Sequence, residues 1–105
     1  MQGNLRRAVI EMATACEVLT KELFANKKVR FRSKTSTVVL LDVDAEKAFG
    51  ASFKQDNLKD WQNIKYLFRC RGDAAHQGNP QNVDIATLQA WWDSLETLIA
   101  WVQSR

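Results

Sequence analysis

Leu5, Val9, Met12, Cys16, Leu19 and Leu23 recur at steps of four and three, the period that lines one face of an α-helix. This spacing predicts a first helix over 4–25. Asn4 stands where an N-cap belongs, and Asn26, Lys27 and Lys28 form a polar stop, with cations at the end the helix dipole favours. Ala8, Ala13 and Ala15 leave room for a neighbouring helix, while Arg6 and Arg7 fall away from the apolar seam.

The pattern changes over 29–43. Val29, Phe31, Val38, Val39, Leu40, Leu41 and Val43 are β-formers, interrupted by the polar run from Arg32 to Thr37. A short β-hairpin or an irregular, ordered loop fits this insert better than a helix. Asp44 then caps a short helix to about Phe53, weakened at Gly50. Asp56 or Asn57 opens a longer helix through Leu58, Trp61, Ile64, Leu67 and Phe68, in which Gly72 is a candidate kink. Gly78-Asn79-Pro80 ends it.

The last helix is expected from near Asp84 to about Gln103, and it carries two apolar rows. One is Ile85, Leu88, Trp92, Leu95, Ile99 and Val102; the other is Trp91, Leu98 and Trp101. One row suffices for an internal core. The second either widens the buried face or serves a subunit interface. At this spacing beside leucines, Trp91, Trp92 and Trp101 read as core or interface more readily than as platforms for bases.

A chain of 105 residues bounds these elements to one domain over 1–105, standing alone or as a piece of a larger protein. The formal charge of +3 is compatible with a nucleic-acid partner without requiring one. Lys27, Lys28, Arg30, Arg32 and Lys34 form the densest basic cluster, either a solvated loop or a strip for a phosphate backbone. No run of residues is apolar enough to span a bilayer and no leader pattern precedes the first helix. The two cysteines, Cys16 and Cys70, lie outside any metal-ligand spacing, so no metal or cofactor is expected and a cytoplasmic setting with free thiols is.

The chemistry concentrates in Arg69-Cys70-Arg71-Gly72-Asp73-Ala74-Ala75-His76-Gln77-Gly78. It holds the only histidine of the chain, the residue type whose ordinary pKa lies near neutrality. Cys70, between two arginines, is a candidate for a lowered thiol pKa. On an unbroken helix Arg69 is about two turns before His76 and shares its side, whereas Arg71 is about 140° away and meets it only if the helix bends at Gly72.

The alanine-rich first helix with Glu17, the Arg71-x4-His76 motif near the end of a later helix and the closing apolar helix together resemble the HEPN superfamily of all-helical domains. Nearly the whole chain takes part, apart from 29–43. Gly72 departs from the polar residue usual after the motif arginine, with the acid one step later at Asp73. The resemblance implies an all-α bundle of about four helices and a metal-independent endoribonuclease of a prokaryotic defence or toxin–antitoxin system. Such domains act as homodimers on RNA, restrained by an antitoxin or joined to further domains. It implies His76 as the acid–base residue, Arg71 (with Arg69 second) as the cation at the scissile phosphate, Asp73 beside them, and Glu17 as the group that orients an arginine or the histidine.

The alternative is a non-catalytic docking or dimerisation module, in which damage to Trp91 or Trp101 disrupts assembly and His76→Ala is silent. The sequence has no Gly-rich phosphate loop, so a nucleotide-sensing module finds no support.

Overall fold

Three long helices, α1 (Gln2–Asn26), α5 (Leu58–Gln77) and α6 (Ile85–Gln103), pack on one another in the computed structural model. It describes residues 2–77 and 83–105, with side chains for 5–74 and 83–105. Between α1 and α5 run α2 (Thr37–Val39), a π-helical turn (Leu40–Asp44), α3 (Ala45–Phe49) and α4 (Phe53–Asp56). At 1.5 Å per residue α1 is about 37 Å long, against a longest dimension of 42 Å for the molecule.

The described residues contain no strand. The hairpin alternative for 29–43 therefore fails, and only 27–36 keeps the irregular form. The rest of the insert is helical because Ser36 starts a helix there: its Oγ accepts from the Val39 N–H at 3.4 Å. Leu40 and Leu41 are both fully buried, although they are consecutive. A strand would send them to opposite faces, while the wide π turn lets neighbours share one. Helix packing thus overrides the β preference of the valines, of which Val39 and Val43 are left in solvent. Asp44 lies inside this helical run and makes no cap bond.

The core stripe of α1 is Val9, Ala13, Cys16, Thr20 and Phe24, all fully buried. Leu5, Met12 and Leu23, expected at its centre, lie on its edge and are partly buried. Thr20 is tolerated there because its hydroxyl donates to the Cys16 carbonyl at 2.7 Å. Asn4 is not the cap, since α1 already begins at Gln2. At its other end α1 closes in a Schellman motif: the Val29 N–H bonds the Phe24 carbonyl at 3.0 Å and the Lys28 N–H bonds that of Ala25 at 2.9 Å. Lys28 takes the left-handed position, φ 60°.

On α6 the core draws on both rows, the second widening the buried face. Trp91, Leu98 and Trp101 are core, joined by Leu95 and Val102, whereas Ile85 and Trp92 are 83% and 55% exposed. Trp101 is fixed by its indole N–H, which donates to Asp56 Oδ2 at 2.9 Å, and by edge contacts with Phe49 and Phe53. The α5–α6 seam also holds a polar chain, with Asn63 donating to the buried Ser94 hydroxyl (3.1 Å) and Ser94 to Asp60 (2.8 Å). The long helices thus present α5 to the core on one side and leave its other side to solvent.

Candidate functional site

The Arg69–Gln77 segment is the end of α5, which runs through Gly72 without a break. Glycine costs a helix interior about 1 kcal/mol against alanine. The buried stripe Ile64, Leu67, Cys70 and Ala74 continues on both sides of it, and that packing holds the helix together. The bend considered at Gly72 is therefore replaced by a continuous helix. Along it the register of His76 is that of Arg69, seven residues earlier, and stands about 140° from that of Arg71. The His76 side chain lies outside the described residues, as does Gly78-Asn79-Pro80.

The two arginines point apart because they are two residues apart on one helix. Arg71 turns toward α1, where its Nη1 is 3.9 Å from Glu17 Oε1. Its guanidinium also sits 4.9 Å from the centre of the Phe68 ring. Both partners of this ion pair are about one-third exposed, with side-chain values of 33% and 35%. Arg69 is exposed on the opposite flank, and Asp73 is half-buried.

Arg6 also belongs to this neighbourhood. It was expected to face away from the seam, yet its Nε donates to the Ala74 carbonyl at 2.7 Å. Ala74 is among the last four residues of α5, whose carbonyls have no partner within the helix. A long arginine one turn into α1 can supply that missing donor, and helical spacing alone does not reveal it. Arg7, by contrast, pairs with Glu11 on the surface at 2.9 Å.

Neither cysteine is activated. Burial pushes the Cys16 thiol up to about 12, outweighing the nearby Thr20 hydroxyl and Arg71 guanidinium that act in the other direction. Burial likewise raises Cys70, against the Tyr66 hydroxyl and Arg69. The lowered pKa considered for Cys70 is thus reversed: it is 3% exposed and faces the core rather than the arginines' solvent side. Among the described residues no three His, Cys, Asp or Glu side chains gather in a metal-binding group, and no helix is long and apolar enough to cross a membrane.

Among the described residues three surface cavities carry more cations than carboxylates, the least charged lined by Arg6, Arg7, Ile10 and Glu11; the other two are richer. One, of about 320 Å³, is lined by Lys27, Lys28, Arg30 and Lys47 together with Asp44. It brings Lys47 of α3 beside the basic cluster that follows α1. The other, of about 470 Å³, is bounded by Trp61, Gln62, Lys65, Tyr66 and Arg69, all on α5. Compared with models of known protein families, with curated proteins and with solved structures, the chain matches none of them.

Proposed function

We propose that this chain is a HEPN-like helical domain that cleaves RNA without a metal, as a homodimer in a prokaryotic defence or toxin–antitoxin setting. The observation that carries the reading is the Arg71–Glu17 pair, which links the motif helix to the alanine-rich first helix through a cation and a carboxylate. Cleavage of RNA by its own 2′-hydroxyl needs one group to move a proton and one to stabilise charge developing on phosphorus. His76 suits the first role, and a permanently charged guanidinium the second. Arg69 shares the register of His76 on the continuous α5, while Arg71 is held by Glu17. A two-fold dimer doubles each group in one cleft, so a single histidine per chain serves as both acid and base.

The test is cleavage of a mixed single-stranded RNA in EDTA by the wild type and by His76→Ala. Cleavage by the wild type alone, leaving 2′,3′-cyclic phosphate ends, supports the reading. Equal cleavage by both, or none by either, ends it.

A second reading, a non-catalytic docking module, is favoured by Ile85 and Trp92. They stand seven residues apart on one side of α6 and are 83% and 55% exposed. In that case Trp92→Ala abolishes assembly and His76→Ala changes nothing.

A further inference from the structure

The solvent side of α5 combines aromatic rings and cations in one recess. Trp61, Gln62, Lys65, Tyr66 and Arg69 enclose about 470 Å³, within the range that holds a small ligand. Tyr66 is 37% exposed. It is braced from behind by Trp91, whose ring centre is 5.8 Å away, so the phenol ring is backed by the core. The Lys65 ammonium stands 5.3 Å from the centre of the Trp61 ring, and Lys54 is 4.7 Å from the same ring. Lys54 is paired with Asp42 at 3.5 Å, whereas neither Lys65 nor Arg69 has an ion-pair partner among the described residues.

Aromatic surface with uncompensated cations at its rim suits a ligand that has both a flat π face and a negative charge. A nucleotide is that ligand: its base stacks on an aromatic ring and its phosphate takes the cations. We propose that this recess is a nucleotide subsite for single-stranded RNA, with a base against Tyr66 and a backbone phosphate on Lys65 and Arg69. The identity of the ligand as RNA rests on the nuclease reading above. Arg69 is seven residues from His76 in the same register, about 10 Å along the helix axis, so the subsite adjoins the segment given the proton-transfer role. It would hold a nucleotide flanking the cleaved bond.

The experiment is equilibrium binding of a fluorescent, fully 2′-O-methylated 12-mer RNA, which has no free 2′-hydroxyl and cannot be cleaved. Tyr66→Ala is expected to weaken binding roughly 5- to 150-fold, the worth of one stacked base, and Tyr66→Phe to restore most of it. Because Tyr66 touches Trp91, a Lys65→Gln/Arg69→Gln double variant tests the surface without disturbing the core. It should make the slope of log K against log salt shallower by about 0.7, the value for one single-strand phosphate contact. Undiminished affinity and slope in the double variant overturn the subsite, as does failure of the wild type to bind. Cleavage of ordinary RNA is scored separately. A wild type that cleaves while these variants bind as it does removes the subsite alone; one that binds through these residues without cleaving removes the nuclease reading alone.

Discussion

Arg71 and Glu17 face each other across the α1–α5 seam at 3.9 Å, the one ion pair among the described residues that joins two of the three long helices. Both side chains are about one-third exposed, so screening limits the pair to under about 1 kcal/mol of stability. Glu17→Gln should therefore leave the thermal midpoint nearly unchanged. If Glu17 orients the guanidinium for RNA, the same substitution lowers cleavage roughly tenfold, a fraction of what losing a direct charge-stabilising group costs. Calorimetry and cleavage rates on the same preparation separate the two effects. An unchanged rate would reduce the pair to a structural one.

Gly72 and Gly50 should respond oppositely to alanine. At Gly72, inside α5, an added Cβ meets nothing within 4 Å. Gly72→Ala is expected to stabilise by about 0.5–1 kcal/mol, raising the midpoint by roughly 2–8 °C. Gly50 ends α3 in the left-handed region at φ 75°, and Gly50→Ala should destabilise by about 1 kcal/mol. Activity in Gly72→Ala also tests whether catalysis uses a bend that the continuous helix lacks.

The hydroxyl of Thr37 is buried without a hydrogen-bond partner among the described residues. Valine keeps its shape and removes the unsatisfied group, so Thr37→Val should raise stability by about 1 kcal/mol. Urea melts of the two proteins check this, and a loss of stability would mean that the hydroxyl is satisfied in solution.

Stability should fall at alkaline pH. Burial raises Cys16 from 9.0 to about 12, so the unfolded chain loses its thiol proton first. The contribution is complete below pH 9 and is lost progressively between pH 9 and 12, at no more than about 1.4 kcal/mol per pH unit. Cys70 and Tyr66, both raised, act in the same sense. Urea denaturation at about pH 8 and about pH 10.5 should show a smaller decline for Cys16→Ala than for the wild type. Equal declines would sink the assignment.

Tryptophans one residue apart should differ most of all. Trp91→Ala removes a fully buried indole and is expected to cost about 3–5 kcal/mol. Trp92→Ala, at an exposed position, should cost less than about 1 kcal/mol. Reading assembly from Trp91 or Trp101 would confuse unfolding with loss of an interface; Trp92 is the informative position.

The long helices were legible because their apolar periods are strong: the ends expected for α6, Asp84 and Gln103, agree with a helix over Ile85–Gln103 capped by Asp84, whose carboxylate accepts from the Thr87 N–H at 2.8 Å. Which tryptophans of α6 face inward was not, since Trp91 and Trp92 are equally apolar and the packed neighbours, α1 and α5 among them, choose between them. The insert misled for a related reason. Its valines favour a strand in isolation, but Ser36 and the paired burial of Leu40 and Leu41 decide for helix. At the candidate site the sequence offered Glu17 and Arg71 and the structure brings them together, while the Arg6 bond to a distant carbonyl leaves no periodic trace in the sequence.

The uneven exposure of the four tryptophans has an optical consequence. Trp61, Trp91 and Trp101 are at most 8% accessible, whereas Trp92 is 55% accessible. A neutral aqueous quencher should therefore act chiefly on the Trp92 share of the intrinsic fluorescence. Anything that settles on that side of α6 would shield it, so the chain carries its own label-free gauge of whether the surface is covered.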